Sequence, residues 1–272
     1  MVQGRHQMGN KSWKWLVFAS ILATLLCAAC SSKAEEKAQP RPFNSKVAFD
    51  VYAVIDNGLE LVGNTPSERP LTIPRCQWWY VVPGLPVDME KVGQEVEVQG
   101  IPGLSLRTAT DADLDHLKGL TGLQRLYLAD TQVTDAGLEH LKGLTALRSL
   151  NFAATKVTDA GLEHLKGLTG LRKLDLELTR VTDAGLLHLE GLRALQELNL
   201  VATRVTDAGL AHLKELTALE ELNLMGTQVT DAGLEHLKGL TALQDLDLRG
   251  TTVTEAGIEQ LQKSLPNLGV WR

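Results

Sequence analysis

The second part of the chain, residues 100–272, repeats one pattern of hydrophobic and polar positions every 24 residues. Over residues 125–128 polar and apolar side chains alternate, which is the period of two expected of a strand with one buried face. Leucines then follow at three-residue spacing over 138–144, which predicts a helix with an apolar stripe. Because 24 residues cannot bury their own leucines, each unit is expected to stack on its neighbours in a solenoid.

Each predicted helix begins with Thr-Asp-Ala-Gly-Leu or a close variant. Thr134 is suited to cap such a helix, and Asp135 to interact with the positive end of its dipole. The acidic position recurs at intervals of 24 residues, at Asp111, Asp135, Asp159, Asp183, Asp207, Asp231 and Glu255. A histidine recurs at the same interval, at His116, His140, His164, His188, His212 and His236.

The unit L-x-x-L-x-L-x-x-T-x-V-T-D-A-G-L-x-H-L-x-x-L resembles the leucine-rich repeat, and is similar to the Asp-Ala-Gly-Leu repeats of bacterial surface proteins and to those of eukaryotic F-box proteins. The resemblance covers about residues 100–272, with six full repeats and terminal caps. It implies an α/β solenoid with a parallel sheet on the concave face and helices on the convex face. A threonine column replaces the family's usual asparagine or cysteine and is expected to bridge successive turns: Thr131, Thr155, Thr179, Thr203, Thr227 and Thr251.

The two ends of the solenoid depart from the repeat, as caps should. Residues 101–104 are expected to replace the regular strand at the first end. Near the other end, Trp271 is expected to act as an apolar plug on the open core.

The recurring histidines and acids could suggest a metal or catalytic site, but the pattern favours a structural role. On a helical wheel His140 lies about 90° from the leucine stripe, so we expect it to be half-buried and hydrogen-bonded to a neighbouring repeat. The acids match no calcium-loop spacing, and the sequence has no HExxH pair, nucleophile elbow, P-loop or dinucleotide fingerprint. We therefore expect no enzyme and no cofactor.

The outward strand positions vary while the scaffold stays constant, so they are predicted to form a contact surface. They are Arg125, Tyr127, Asn151, Lys173, Asp175, Glu177, Glu197, Asn199, Glu221, Asn223, Asp245, Asp247 and Arg249. This surface begins with Arg and Tyr and then becomes acidic, which favours a basic partner. The alternative interpretation is that these positions carry ordinary solvent-exposed polar side chains that bind no partner.

Residues 46–99 differ in kind and predict a small β-rich unit. Two β-like runs flank the Asp-Asn-Gly triplet at 56–58, a strong hairpin signal, and further β-like runs cover 77–82 and 95–99. The aromatic cluster at 78–80, Trp-Trp-Tyr, is either an exposed platform for sugars or peptides or the core of this unit and its contact with the solenoid. The second interpretation is favoured.

Residues 1–29 have the features of a secretory signal, with three basic residues, no acid, and then an apolar run. The run ends in Leu-Cys-Ala-Ala-Cys, which resembles the lipobox of bacterial lipoproteins and implies lipidation of Cys30. Cys27 departs from the leucine usual there, and ordinary signal cleavage or an uncleaved anchor are the alternatives. Residues 30–45 are polar and contain proline, which predicts a flexible tether.

The charge balance excludes some partners. The chain has 27 basic and 33 acidic residues, a net charge of -6, and loss of the three basic residues of the signal leaves 24 against 33, or -9. A broad basic face for nucleic acid is therefore not expected. The three cysteines cannot form a multi-disulfide scaffold.

Together these features predict a monomeric, non-enzymatic interaction module, anchored to the bacterial cell envelope by lipid on Cys30. Its acidic concave sheet is predicted to bind a protein or peptide that carries basic residues. A carbohydrate- or cell-wall-binding protein that uses the N-terminal aromatic unit, with the solenoid as a spacer, is one alternative. A lipoprotein with a structural role and no ligand is another, and a secreted or periplasmic location is the alternative to anchoring.

Overall fold

A computed structural model of the protein describes residues 41–55, 58–67, 70–74, 78–85 and 87–272. The predicted signal over 1–29, the lipidation site Cys30 and also Cys76 lie outside the described residues. Within these ranges, no helix is long and apolar enough to cross a membrane.

The N-terminal unit consists of short strands and one helix. In chain order these are β1 (Arg41–Phe43), β2 (Phe49–Ile55), β3 (Gly58–Thr65), β4 (Leu71–Ile73), β5 (Trp78–Pro83) and α1 (Met89–Gln99). β2 pairs antiparallel with both β3 and β5, while β1 pairs with β4 in a separate two-stranded sheet. Ile55 lies opposite Gly58, so the structure confirms the hairpin predicted at this point.

Residues 95–99, predicted as β-like, are instead the last part of helix α1, so that prediction is wrong. Asp88 caps the helix by accepting a hydrogen bond from the Lys91 backbone N–H at 3.2 Å, and Gly100 ends it in the left-handed conformation at φ 58°. Val92 and Val96, four residues apart, are both buried. This helical spacing turns the valines towards the core and overrides their preference for strands.

The flexible tether expected over residues 30–45 is wrong for residues 41–43, which form β1. Phe43 is 2% exposed and packs edge-on against Trp79, with ring centroids 5.2 Å apart. This aromatic contact buries apolar surface and fixes the segment against the N-terminal unit.

The rest of the chain alternates short strands and short helices, which confirms the predicted α/β solenoid. The strands are β6 (Gly103–Ser105), β7 (Arg125–Tyr127), β8 (Ser149–Asn151), β9 (Lys173–Asp175), β10 (Glu197–Asn199), β11 (Glu221–Asn223), β12 (Asp245–Asp247) and β13 (Gly269–Trp271). The helices are α2 (Asp111–Asp115), α3 (Asp135–Leu138), α4 (Asp159–Leu162), α5 (Asp183–Leu186), α6 (Asp207–Leu210), α7 (Asp231–Leu234) and α8 (Glu255–Gln262). A 3₁₀ turn extends each of α3 to α7, at Glu139–Leu141, Glu163–Leu165, Leu187–Leu189, Ala211–Leu213 and Glu235–Leu237.

One sheet joins the N-terminal unit to the solenoid. Its eleven strands run in the order β13-β12-β11-β10-β9-β8-β7-β6-β5-β2-β3, and those from β5 to β13 are parallel. β6 pairs in register with β7, so residues 101–104 do not replace the regular strand as expected. A Cβ atom on Gly103 would lie 2.6 Å from that of Tyr80, so glycine is required where β6 meets β5.

The core lies between the sheet and the helices. The central leucine of each strand from β7 to β12 is no more than 2% exposed, and the leucines of the helices are similarly buried. Trp271, expected to plug the open end, is instead 61% exposed. As the third residue of β13 it faces away from the core, and Leu261, Leu265 and Leu268 close the end instead.

The acid column, and not the threonine column, links successive repeats. The Thr131 hydroxyl donates to the Leu128 carbonyl of its own repeat at 2.6 Å, as its counterparts do, so the predicted bridge between turns is wrong. The acids link the repeats instead: Asp111 accepts hydrogen bonds from the N–H and the hydroxyl of Thr134 in the next repeat. Thr134 also caps its helix, as predicted, by accepting from the Ala136 N–H.

Candidate functional site

Strands β7 to β13 present two rows of side chains on the face of the sheet that points away from the helices, here called the open face. The middle residue of each strand from β7 to β12 is buried in the core, and Val270 in the middle of β13 is partly buried against it, so the first and third residues face outwards. The first row is Arg125, Ser149, Lys173, Glu197, Glu221, Asp245 and Gly269. The second row is Tyr127, Asn151, Asp175, Asn199, Asn223, Asp247 and Trp271.

An open cleft of about 300 Å³ runs between the two rows. At about 4.8 Å per strand, it extends roughly 29 Å from β7 to β13. Ten of the thirteen predicted contact residues line it: Tyr127, Asn151, Lys173, Asp175, Glu197, Asn199, Glu221, Asn223, Asp245 and Asp247. Ser149 and Trp271 also line the cleft. The sequence offers no signal for Trp271 unless its strand register is known.

The other three predicted residues lie outside the cleft. Glu177 and Arg249 each follow the end of a strand by two residues, because the strands are only three residues long. Arg249 Nη2 lies 2.5 Å from Asp247 Oδ2. The Arg125 guanidinium lies over the Trp78 ring, 4.5 Å from its centroid.

The aromatic cluster at 78–80 closes the first end of the open face. Trp79 and Tyr80 are 4% and 5% exposed, which confirms the packing interpretation and rules out a three-residue exposed platform. Trp78 is half-buried, with its ring centroid 6.3 Å from that of Tyr127. The cluster therefore belongs to the contact between the N-terminal unit and the solenoid.

Carboxylates crowd the centre of the cleft. Burial, then repulsion from Glu197, raises the pKa of Glu221 to about 7. Burial also raises the pKa of Glu197, although the Lys173 ammonium 2.6 Å away opposes the shift. Burial raises the pKa of Asp175 to about 6. Lys173 is the one cationic side chain among the residues that line the cleft.

The asparagines and aspartates of the second row accept hydrogen bonds from the backbone that follows them. The side-chain oxygen of Asn151 accepts a hydrogen bond from the N–H two residues further on, at Ala153, with a distance of 2.8 Å. Asp175, Asn199, Asn223 and Asp247 make the same bond in their repeats. The asparagines and aspartates of this row thus help to end the strands. The side chains of the first row do not have this role, so their identity can differ from repeat to repeat.

The histidines follow the prediction only in part. His140, His164, His188 and His212 are half-buried, whereas His116 and His236 are exposed. His212 Nδ1 lies 2.8 Å from Glu190 Oε1 of the preceding repeat, which confirms the predicted bond at that position. The prediction is wrong for His140, His164 and His188, whose Nδ1 atoms are buried and make no hydrogen bond to the residues that the structure describes. Across the part of the chain that the structure describes, no group of three His, Cys, Asp or Glu side chains is placed to hold a metal ion.

A family model described as Leucine Rich repeat matches residues 215–238, in agreement with the repeat seen in the sequence. The fold is similar to that of an internalin (inlF) from Listeria monocytogenes, with a TM-score of 0.56 and 24% identity over 68% of this chain. The chain spans 50% of that internalin's length. It is also similar to internalin C2 (inlC2) from the same organism, with a TM-score of 0.55 and 27% identity over 66% of this chain and 74% of the internalin. No curated protein matches the sequence.

Proposed function

We propose that this protein is a non-enzymatic interaction module of the bacterial cell envelope, and that its cleft binds a protein or peptide with basic residues. The observation that carries the proposal is the row of acids Glu197, Glu221 and Asp245 on three consecutive strands. They lie along a cleft in which Lys173 alone opposes them.

The electrostatics favour a cationic occupant. Glu221 is difficult to ionise because it is partly desolvated beside Glu197, as its raised pKa shows. A lysine or arginine side chain in the cleft would reduce this repulsion and favour the charged form of both carboxylates. The free protein therefore carries an unfavourable charge arrangement that a basic partner relieves.

The repeat architecture supports the same function. The leucine core is constant from repeat to repeat, and the second row is Asn or Asp from Asn151 to Asp247, whereas the first row changes from Ser149 to Lys173 to Glu197. A solenoid that varies one exposed row on a fixed scaffold is suited to recognising an extended partner. A monomer suffices, because the cleft is formed within one chain.

The proposed cleft can be tested with a fluorescein-labelled peptide of alternating lysine and serine, measured by fluorescence anisotropy at low ionic strength. We expect Glu221→Lys combined with Asp245→Lys to weaken binding about tenfold or more, since two attractions become repulsions. The matched control is Glu139→Lys combined with Glu163→Lys, which makes the same change in net charge at exposed residues on the helical side. Equal weakening by both double variants would mean that net charge alone attracts the peptide, and would refute the proposal.

Envelope anchoring is the second part of the proposal and rests on the sequence before residue 31. Export through the signal and lipidation of Cys30 would attach the module to a membrane surface. Labelled fatty acid should be incorporated into the wild-type chain in a bacterial host but not into Cys30→Ala. Equal labelling of both chains would place the lipid elsewhere, and absence of label in both would exclude the anchor.

A further inference from the structure

A column of left-handed residues lies along the rim of the open face, three positions after the end of each strand. Its members are Asp130, Ala154, Leu178, Ala202, Gly226 and Gly250, with φ between 53° and 71°. The backbone ladder continues through this column: the Leu178 N–H donates to the Val201 carbonyl at 2.9 Å, and the Ala202 N–H donates to the Met225 carbonyl at 2.8 Å. Successive members therefore stack one repeat apart.

Leu178 is the exception in this column. Its φ of 56° is unfavourable for a leucine, and its side chain is 56% exposed. The neighbouring repeats place Ala154 and Ala202 at this position, so the fold itself does not require a large side chain. Leucine here therefore combines an unfavourable backbone conformation with an apolar group in water, two features that a partner's contact would explain.

Small neighbours make this side chain project from the rim. Ala154 and Ala202 lie one repeat to either side, and in the next repeat the column continues with Gly226. A Cβ on Gly226 would lie 4.0 Å from that of Ala202, so this part of the column is closely stacked and flat. Leu178 thus stands out from a flat rim at the middle of the solenoid.

The charge differs between the two sides of Leu178. Towards the cleft lie Asp175, which lines it, and Glu177, which accepts a hydrogen bond from the Asn199 side chain of the cleft at 3.3 Å. Two residues beyond the left-handed column, three consecutive repeats carry the exposed cations Lys156, Arg180 and Arg204. Their backbone N–H groups each donate to a carbonyl of the preceding repeat, which places the three in line as a basic ridge.

We propose that Leu178 is the apolar anchor of the partner-binding surface. The occupant is a protein segment with an apolar side chain between a basic group and an acidic group. Its basic group faces the cleft, and its acidic group faces the ridge of Lys156, Arg180 and Arg204. The basic group of this partner rests on the function proposed for the cleft. Its apolar side chain and its acidic group are inferred from Leu178 and from the ridge.

The test uses a phage-displayed library of random twelve-residue peptides selected on the full-length chain, followed by calorimetry with the most enriched peptide made synthetically. We expect enriched peptides to place an apolar residue between Lys or Arg and Asp or Glu. Leu178→Ala should weaken binding about tenfold or more, in the range of a buried anchor. The matched control is Leu187→Ala, which removes a leucine 48% exposed on the helical side of the same repeat. Each variant takes the residue that the next repeat carries, Ala202 and Ala211, so the fold should accept both.

The ridge is tested with the same peptide. Arg180→Glu combined with Arg204→Glu should weaken binding, whereas Lys142→Glu combined with Lys166→Glu, an equal change of charge on the helical side, should leave it unchanged. Enriched peptides that are basic alone, and lose binding with Glu221→Lys and Asp245→Lys but not with Leu178→Ala, would preserve the cleft proposal and refute the anchor. Self-association of the wild type that Leu178→Ala abolishes would identify a second copy as the occupant and also refute it.

Discussion

Asp135 of one repeat holds Thr158 of the next through both carboxylate oxygens. Oδ1 accepts from the Thr158 backbone N–H at 2.7 Å, and Oδ2 accepts from the Thr158 hydroxyl at 2.6 Å. The same pair of bonds recurs along the solenoid from Asp111 to Asp231. At the last pair, the bonds from Thr254 lower the pKa of Asp231 below its ordinary value. The acid column is therefore a ladder that sets how each helix start docks on the previous one.

Removing one step of this ladder should destabilise the fold. Asp135→Ala leaves the Thr158 N–H without its acceptor, and we expect a loss of about 2 kcal/mol in the free energy of unfolding, measured with urea. Asp135→Asn keeps one acceptor and should lose less. Glu139→Ala, which changes an exposed acid of the same repeat, should stay within about 0.5 kcal/mol of the wild type. Equal losses from Asp135→Ala and Glu139→Ala would mean that the ladder does not stabilise the repeats.

The glycine of the Asp-Ala-Gly-Leu motif is required by the same ladder. A Cβ on Gly161 would lie 2.5 Å from Asp135 Oδ1 and 3.1 Å from Leu138 Cδ2. Gly161→Ala should therefore cost about 1–3 kcal/mol by overpacking. Gly143→Ala meets no atom within 4 Å and should be neutral or gain about 0.4–1 kcal/mol through the unfolded chain. The melting temperatures of the two variants should shift in opposite directions, or the decrease for Gly161→Ala should be clearly larger than any change for Gly143→Ala.

In the left-handed column, replacing alanine by glycine should stabilise the protein, which is the opposite of the usual effect of this substitution. Ala202 has φ 53°, so Ala202→Gly should relieve an unfavourable conformation and stabilise the protein by about 0.5–1 kcal/mol. In the same repeat Ala208 lies in helix α6 and is exposed, so Ala208→Gly should destabilise it by a similar amount. A loss of stability from both variants, in urea titrations, would contradict the assigned conformation.

Stability should depend on pH through the cleft. The pKa of Glu221 is about 7 in the folded protein against an ordinary value of 4.5, so folding favours its protonated form. The protonated Glu221 side chain therefore contributes to the free energy of unfolding. This contribution is complete below the pKa that Glu221 has in the unfolded chain, and it is lost as the pH rises through the pKa that Glu221 has in the folded protein. Glu221→Gln, which is never charged, should melt at a higher temperature than the wild type at about pH 8, and this advantage should shrink towards about pH 5.

The matched comparison is Glu139→Gln on the helical side, which makes the same change of side chain outside the cleft, at a residue whose side chain is 64% exposed. If the advantage of Glu221→Gln is constant across this range, Glu221 does not titrate near neutral pH, and the electrostatic argument for a basic occupant is weakened accordingly.

The local chemistry of the sequence was sufficient to predict most of the architecture. Alternation around Leu126 specifies a strand, leucines at three-residue spacing specify the buried helical stripe, and the 24-residue interval specifies the stacking. The Asp-Asn-Gly triplet at 56–58 specifies the hairpin. The strand, the helical stripe and the hairpin depend on neighbours a few residues away in the chain, and the interval emerges when one unit is compared with the next.

Only the tertiary structure decided which groups meet across repeats. Asp135 and Thr158 are 23 residues apart, and nothing local to either shows that stacking brings a carboxylate onto a backbone N–H. The same is true of Trp271, whose side chain faces the cleft only because β13 pairs in register with β12, and of Glu221, whose pKa depends on burial beside Glu197. Periodicity determines that the turns stack. The exact superposition of one turn on the next determines what each exposed side chain touches, and that superposition arises only when the whole solenoid folds.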